Sequence, residues 1–586
     1  MTTPEEKARV NIDRQLVAAG WEVVDRDEIN PSAPAQAIRE VPMKPGHGQV
    51  DYLLYVEGKA IGVLEAKKEG EALSTHEMQP EAYSEGLPEQ YPAWRRPLPF
   101  QYLSTGEETF FRNNLDPQPR SRRVFAFHKP GTLRDWAEGK VLLSDPDSIA
   151  EEPAAYGKKT PTLLSRIQHM PSINIEGMWS KQVTAIENLE KSLRENRRKA
   201  LVQMATGSGK TFTAITECYR LIKYAGAKRI LFLVDRKNLG DQAEQEFHRY
   251  TAPDTNRKFT ELYTVQHLKS NTITQSSRVC IATIQRVFSI LKGEEEMPED
   301  ADERSAFERQ AAGESLSVVY NPQIPPETFD FVIVDECHRS IYNLWSQVLE
   351  YFDASLIGLT ATPSKHTIGY FDGNQVMYYT HEEAVADGVN VDFSVYRIRT
   401  KVTEQGAVLD KNEWVKVRDR RTRKERQAQL DEELIYDTKD LDRSVVNPSQ
   451  VRTVIEAFRD KLFTEIYPGR TEVPKTLIFA KDDDHAELIV RTVRETFAKG
   501  DEFCRKITYR AGMHKLEDGS YKRTNVKVDD IIKAFTNSFM PRVAVTVDMI
   551  ATGTDTKPVE IVFFMRDVKS ENYFEQMKGR GVRVMG

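Results

Sequence analysis

The sequence has little cysteine. Cys218, Cys280, Cys337 and Cys504 are the four in 586 residues, and they form no CxxC pair. Their scatter excludes a disulfide scaffold or a cysteine-held structural zinc and fits a reducing, cytoplasmic setting. Long apolar runs are missing as well: none reaches the roughly 18 residues of a membrane-spanning helix. The N-terminus, Met1-Thr2-Thr3-Pro4-Glu5-Glu6, is acidic and lacks the apolar core of a signal peptide. No internal repeat is visible, and no excess of positive charge: 82 Lys and Arg stand against 89 Asp and Glu, for a net charge of −7. Bulk charge therefore does not announce a nucleic-acid binder, yet excludes none, because only a local groove must be basic. What is present is ample apolar residue (39%) with 29% charge, enough for several cores. At roughly 100–200 residues per domain the chain holds about three to five.

Residues 1–150 are expected to form one α/β domain. A helix is predicted from Glu5 to Gly20, with Val10, Ile12, Leu16 and Val17 apolar. Strand-like runs follow at Asp51–Val56, Lys59–Ala66, Pro99–Ser104 and Arg123–His128. Residues 151–172 read as a Pro- and Ser-rich linker, since Ser144–Pro171 is irregular in pattern. Residues 173–390 change character. Apolar strands at Ala200–Gln203, Arg229–Val234, Val279–Ala282, Phe329–Val334 and Ser355–Leu359 alternate with helical stretches, as buried parallel strands do. Within them Lys292–Glu327 is acidic and proline-containing and is expected to be an exposed insertion. Residues 391–448 are a charged connector, and 449–586 start a second α/β series with strands at Lys475–Phe479, Val543–Val547 and Glu560–Phe564.

The strongest motif runs from Ala200 to Thr211. An apolar strand leads into Thr206-Gly207-Ser208-Gly209-Lys210-Thr211, and a helix follows. Phosphate is held by inward-turned backbone N–H groups, which glycine permits, and by the positive end of the helix. Lys210 is the candidate for the β- and γ-phosphates of ATP and Thr211 for Mg²⁺. Met204 stands where the phosphate-loop pattern wants glycine; the bland alternative is a Gly-rich turn before a helix. Further on, Phe331-Val-Ile-Val-Asp335-Glu336-Cys337-His338 delivers two acids at a strand end. Asp335 is placed to hold Mg²⁺ and Glu336 to act as general base on the attacking water.

These segments resemble superfamily 2 helicases, and more motifs fall in order. Asp235-Arg236 with Leu239 and Gln242 is similar to motif Ia, and Thr283-Ile-Gln285 to motif Ib. Gly358-Leu-Thr-Ala-Thr-Pro363 is similar to motif III, Thr476–Ala480 with His485 to motif IV, Thr546–Asp555 to motif V, and Gln576–Arg583 to motif VI. The resemblance covers residues 175–586 and implies two RecA-like doubly wound parallel-sheet domains that close on ATP. It further implies adenine recognition by Gln182 and contacts to the γ-phosphate from Arg580 and Arg583. DNA-backbone contacts would come from Arg236, Thr283, Gln285 and Thr546. His338 is then a coupling residue rather than a metal ligand.

A second chemistry lies near the N-terminus. Asp51 to Lys67 reads as a hairpin. If its turn centres on Gly58, Asp51 opposes Glu65, at a Cβ separation of about 4.5–5.5 Å, and Lys67 shares that face. A two-residue turn at Glu57-Gly58 would instead pair Asp51 with Leu64. Two carboxylates and an ammonium suit Mg²⁺-dependent phosphodiester cleavage, with Asp51 and Glu65 as metal ligands and Lys67 steadying the nucleophile. A salt-bridged surface hairpin is the competing reading. The pattern is similar to the PD-(D/E)xK nucleases. With Gln79-Pro-Glu-Ala-Tyr83 and Pro99–Gly106 added, the whole chain resembles the restriction subunit of type I restriction–modification enzymes.

That resemblance implies an ATP-dependent translocase and endonuclease on double-stranded DNA, with Gln79 and Tyr83 aiding DNA binding. It also implies methyltransferase and specificity subunits as partners, and marks the chain as a fragment. A stand-alone helicase–nuclease of repair or phage defence, or a remodeller whose nuclease-like domain only binds DNA, are the alternatives. The basic run Lys416–Arg426 is either a phosphate contact or a solvated loop.

Overall fold

A computed structural model describes residues 4–70, 73, 85–139, 162–297, 318–339, 341, 344–398, 407–409, 414–418, 425–429, 434–436, 448–508, 513–515, 521–523, 528–547, 559–566, 568, 574, 577–578 and 581. The chain divides into two compact units, Met1–Ala205 with Gly209–Thr380, and Thr206–Ser208 with His381–Gly586.

The first unit opens with helix α1 (Pro4–Ala18). Ala8, Ile12 and Leu16, four residues apart, form its buried stripe, while Val10 and Val17 point to solvent. The expected apolar set is therefore half right: the helix buries the i, i+4, i+8 row only. Seven strands follow: β1 (Glu22–Val24), β2 (Ala35–Pro42), β3 (Gln49–Val56), β4 (Lys59–Ala66), β5 (Phe100–Ser104), β6 (Thr109–Asn113) and β7 (Arg122–Val124). They form one sheet in sequence order. The β1–β2 and β4–β5 pairs are parallel and the rest antiparallel. The last strand ends at Val124, short of the expected Arg123–His128 run, because the chain leaves the sheet for helix α2 (Pro130–Glu138). Central strand β4 is covered on both faces. Ile61 and Leu64 pack with Ile12, Leu16, Phe100 and Phe111, whereas Ala60 and Val63 pack with Ile38, Leu53 and Leu98.

The β3–β4 turn corrects the expectation that it centres on Gly58. It is a two-residue turn, with Val56 opposite Lys59 and both Glu57 (φ 50°) and Gly58 (φ 73°) left-handed. A β-bulge at Ile61 then adds one residue: Tyr55 faces Ala60, but Leu54 faces Gly62 and Tyr52 faces Leu64. The bulge cancels the one-residue slip of the tighter turn. Continued by one position, the ladder sets Asp51 opposite Glu65.

The rest of the first unit carries α3 (Ser180–Arg194), α4 (Lys210–Lys223), α5 (Lys237–Arg249), α6 (Ile284–Lys292) and α7 (Leu344–Tyr351). Between them lie β8 (Lys199–Met204), β9 (Ile230–Val234), β10 (Val265–His267), β11 (Val279–Thr283), β12 (Phe331–Asp335), β13 (Ser355–Thr360) and β14 (Gln375–Tyr379). All are parallel, in the order β10-β11-β9-β12-β13-β8-β14. Parallel neighbours need crossovers, which the intervening helices supply. The inner strands are the continuous apolar runs read from the sequence; the edges β10 and β14 are not.

Two expectations of irregular chain need correction. Of the expected linker, the described part holds a helix, Leu163–Gln168, that buries Leu164 and Ile167. Of the expected insertion, residues 292–296 and Val319 are exposed, but Val318, Tyr320 and Ile324 pack against the cores. Tyr320 meets the α1/β4 cluster and Ile324 the parallel-sheet core.

The second unit is described through α8 (Pro448–Lys461), α9 (Asp483–Thr496) and α10 (Val528–Asn537), with short antiparallel pairs ahead of them. These pairs join β15 (Ala407–Leu409) to β18 (Leu434–Tyr436) and β16 (Trp414–Arg418) to β17 (Glu425–Gln429). The basic run spans the second pair. A four-stranded parallel sheet follows, from β19 (Thr476–Phe479), β20 (Cys504–Ile507), β23 (Val543–Thr546) and β24 (Ile561–Phe564), in the order β20-β23-β19-β24. The pair β21 (Met513–Lys515) and β22 (Tyr521–Arg523) is antiparallel. Among the described residues no helix is long and apolar enough to cross a membrane.

Candidate active sites

At the end of the β3–β4 ladder the acidic hairpin closes on itself. Asp51 Oδ2 accepts the Ala66 backbone N–H at 2.7 Å, which ties the strands together beside the carboxylates. Lys67 Nζ donates to Glu65 Oε1 at 3.0 Å. Glu65 Oε2 is buried with no hydrogen-bond partner. Burial pushes the Glu65 carboxyl up, and the Asp51 carboxylate adds to this; the Lys67 ammonium opposes it. A buried oxygen with nothing to bond, beside a second carboxylate, is costly unless a cation or proton answers it. Asp51 and Glu65 thus fit a divalent ion. Arg9 Nη2 also reaches Asp51 Oδ1, at 2.7 Å. Gln79 and Tyr83 lie outside the described residues.

The second constellation gathers at the C-terminal ends of β8, β12 and β13. The loop between β8 and α4 turns through two left-handed glycines, Gly207 and Gly209, each at φ 84°. Lys210 starts α4, and its Nζ donates to the Met204 carbonyl at 3.2 Å. A Cβ on Gly209 would lie 2.2 Å from Gln182 Nε2, so a larger residue would have to displace the Gln182 amide as well as adopt a strained φ of 84°. Gln182 Oε1 accepts the Trp179 N–H at 3.1 Å as part of the α3 cap. Two strands along from β8, β12 ends on Asp335. Burial first, then the Glu336 carboxylate, pushes the Asp335 carboxyl up to about 7, and the Lys210 ammonium draws it back. That local excess of negative charge fits a divalent ion held with Thr211. Glu336 itself sits at φ 49°, a strained setting for a residue with a Cβ.

His338 joins this strand end to the next. Its Nδ1 lies 3.0 Å from Thr360 Oγ1 on β13 and 3.6 Å from Glu336 Oε2. The Thr360 hydroxyl also accepts the Thr362 N–H at 3.1 Å. The imidazole thereby bonds the strand carrying Thr360-Ala-Thr-Pro363 and lies close to the Glu336 carboxylate. A divalent ion held at either site would supply charge neutralisation at a transferring or scissile phosphate.

The candidate DNA contacts are less open. Arg236 is buried at the start of α5 beside Asp235. The Thr283 hydroxyl caps α6 by accepting the Arg286 N–H, and Gln285 is buried in that helix. Thr546 closes β23 fully buried. Thr283 has a capping duty in this conformation, whereas the Thr546 hydroxyl is buried without a hydrogen-bond partner. Arg580 and Arg583 lie outside the described residues.

Sequence reasoning missed Arg9 and a second cluster away from both sites. Asp353, before β13, accepts two hydrogen bonds from Arg122 at 2.7 Å each and lies 2.9 Å from His128 Nε2 and 3.0 Å from Arg198 Nη1. It joins the N-terminal sheet to the parallel one. No spacing rule could have found it, because its partners are scattered single residues.

Two family models match the chain. Residues 28–107 match the second domain of the type I restriction enzyme EcoKI endonuclease subunit, a range that holds Asp51, Glu65 and Lys67. Residues 177–365 match the res subunit of type III restriction enzymes, a range that runs from Gln182 to Thr360 and beyond. The EcoKI endonuclease subunit of Escherichia coli K12 is 28% identical over 660 aligned positions, 99% of this chain and 50% of that protein. The EcoAI endonuclease subunit of Escherichia coli is 29% identical, over 69% of this chain and 44% of that protein. A solved fragment of a proposed HsdR subunit from Vibrio vulnificus YJ016 is 20% identical, covering all of this chain and 90% of that one, with a TM-score of 0.45. The chain spans about half the length of the curated relatives it matches. The chain is thus similar to the EcoKI endonuclease subunit across nearly its full length and to the EcoAI endonuclease subunit over 69% of it.

Proposed function

We propose that this chain is the motor and nuclease part of a type I restriction–modification complex, an ATP-dependent double-stranded DNA translocase and endonuclease. On this reading the N-terminal sheet is a PD-(D/E)xK nuclease domain, and the two parallel sheets are RecA-like domains that bind and hydrolyse ATP with Mg²⁺. The observation that carries the reading is the register of the acidic hairpin. The Ile61 bulge returns Asp51 to the position opposite Glu65, whose inner oxygen is buried without a partner, with the Lys67 ammonium on the other. A surface salt-bridge hairpin has no need to bury an unanswered carboxylate oxygen. Asp51, Glu65 and Lys67 then serve phosphodiester cleavage. Lys210, Thr211, Asp335 and Glu336 serve ATP hydrolysis, completed by Arg580 and Arg583. Methyltransferase and specificity subunits are the expected partners, the latter choosing the DNA sequence.

The test is phosphate release and DNA cleavage by the purified chain with ATP, Mg²⁺ and linear double-stranded DNA, alone and with the two partner subunits. DNA-stimulated hydrolysis should vanish in Lys210→Ala and persist in Asp51→Ala, whereas cleavage should vanish in both. Hydrolysis without any Asp51-dependent cleavage, in the reconstituted complex of full-length chain, would favour a remodeller; silence in both assays would reject the motor as well.

A further inference from the structure

The carboxylates at the hairpin form a row of three, not two. Strand β2 pairs with β3 by setting Arg39 opposite Tyr52 and Val41 opposite Val50. Glu40 therefore falls opposite Asp51, as Asp51 falls opposite Glu65 on the other side. Glu40 is skipped by the ladder pairing and adopts φ 53°, the left-handed region that a side chain with a Cβ enters at a cost. Strain of this kind in mid-strand persists only where surrounding contacts impose it. At this position Glu40 meets Arg9 of α1, whose Nη1 donates to Glu40 Oε1 at 2.8 Å and whose Nη2 donates to Asp51 Oδ1 at 2.7 Å. The Glu40 hydrogen bond is the main influence raising the Arg9 guanidinium above its ordinary value, so it stays charged.

Every oxygen of the Asp51–Glu65 pair but one is thus taken by a protein donor. Asp51 Oδ2 has the Ala66 N–H, Asp51 Oδ1 has Arg9, Glu65 Oε1 has Lys67, and Glu65 Oε2 has none. A divalent cation bridging Asp51 and Glu65 meets Arg9 already seated on the Asp51 oxygen left for it. Two positive charges cannot share that oxygen cheaply. Resting on the nuclease reading above, we infer that Arg9 is a resident cation of this site: it occupies Asp51 until a divalent ion displaces it, and Glu40 is the seat it keeps when it lets go. Arg9 is then a positioning residue that sets how readily the site loads, and its freed nitrogens are available to a backbone phosphate.

The experiment is Mn²⁺ binding to the full chain without nucleotide or DNA, followed by electron paramagnetic resonance and calorimetry. Sites are assigned by their loss in Glu65→Gln, which separates them from Mn²⁺ at Asp335. Arg9→Gln should bind Mn²⁺ about three- to tenfold more tightly than wild type, on the scale of removing one adjoining positive charge from a part-exposed site. Glu40→Gln should act in the opposite direction, weakening Mn²⁺ binding about threefold, because Arg9 loses its other seat and stays on Asp51. The double variant should behave as Arg9→Gln. A merely structural role for Arg9 predicts weaker Mn²⁺ binding in both single variants, with a lowered melting temperature, and that result overturns the inference. Unchanged, Glu65-dependent affinity in Arg9→Gln also overturns it. If no variant shows a Glu65-dependent Mn²⁺ site, the metal-nuclease reading itself falls, an outcome distinct from the other two.

Discussion

Replacing Asp353 by asparagine keeps the shape of its side chain and removes one charge. In the native structure that carboxylate is 2% exposed and answers three cations or potential cations. Arg122 forks onto both oxygens, Arg198 adds to Oδ1 and His128 to Oδ2. Burial alone would raise the Asp353 carboxyl, but the half-buried Arg122 and Arg198 guanidiniums and the His128 hydrogen bond hold it well below the usual carboxylate range. Asparagine leaves Arg122 and Arg198 facing each other with only the weaker help of Asp116, whose carboxyl burial pushes up. Breaking one side of a buried ion pair costs about 3–5 kcal/mol, because the charges left behind stay desolvated. Arg122 and His128 belong to the N-terminal sheet, Arg198 and Asp353 to the parallel one, so the loss falls on their junction. A chain of several domains does not melt as two states, so the junction is best followed by hydrogen exchange under native conditions. Peptides across residues 120–130 and 350–356 should lose about two to three orders of magnitude in protection, with β9 and β11 little changed. Protection within threefold of wild type at the junction would refute the argument, and Arg122→Ala should not add fully to Asp353→Asn if the two act as one pair.

Three further perturbations bear on single sites. Gly209→Ala puts a Cβ 2.2 Å from Gln182 Nε2 at φ 84°, so binding of a fluorescent ATP analogue should weaken at least about tenfold; Gly131→Ala, where a Cβ meets open space, is the control. Thr360→Val removes the hydroxyl that meets His338, and DNA stimulation of ATP hydrolysis should fall several-fold while basal hydrolysis persists and Thr360→Ser restores it. His485 is buried, its Nδ1 accepts the Lys481 N–H, and burial lowers its imidazole to about 4. A depressed folded value means stability that is present above the unfolded value near 6.5 and is lost as pH falls towards 4, by up to about 3 kcal/mol at 1.36 kcal/mol per unit. Urea unfolding of the second unit should show that slope and His485→Gln should flatten it; an equal slope in both would exclude His485 as its source.

Much of the fold was legible because the parallel sheets bury their strands on both faces. Continuous apolar runs at β8, β9, β11, β12 and β13 announced themselves, and the chemistry sits at their ends, where an apolar run stops on Gly207, Asp335 or Thr360. Edge strands β10 and β14 escaped because one face or one end is wet, so the run is broken by Gln266, His267 and Tyr378. In the N-terminal domain β1, β2 and β6 escaped for a related reason: they mix fully buried with half-buried or exposed positions over three to eight residues. The α1 stripe was misjudged because Val10 and Val17 are as apolar as Ile12 and Leu16; only the turn of the helix separates them.

The hairpin is the more instructive case, since the pairing of Asp51 with Glu65 was expected from a turn that does not exist. Counting outward from Gly58 assumed an uninterrupted ladder and a three-residue turn, while Glu57 and Gly58 in fact form the tighter primed turn that suits the twist of paired strands. That choice costs one register step, and a step turns every side chain of β4 to the wrong face. Ile61 restores the step by bulging, and it can do so because it is itself fully buried in the α1 cluster, which fixes which residue is left unpaired. Turn, bulge and packing are three local choices that agree only when the carboxylates meet. The same three-way agreement fails to extend to β2, where Glu40 drops out of the ladder and its carboxylate meets Arg9. A regular strand is given up at the one register position that lines a third carboxylate with the other two, and the helix that imposes it is the one whose buried face packs against β4. Residues that no spacing pattern links, Arg9, Glu40 and Asp51, are thereby set by the packing of α1, which is why the acidic motif could be read from the chain and its resident cation could not.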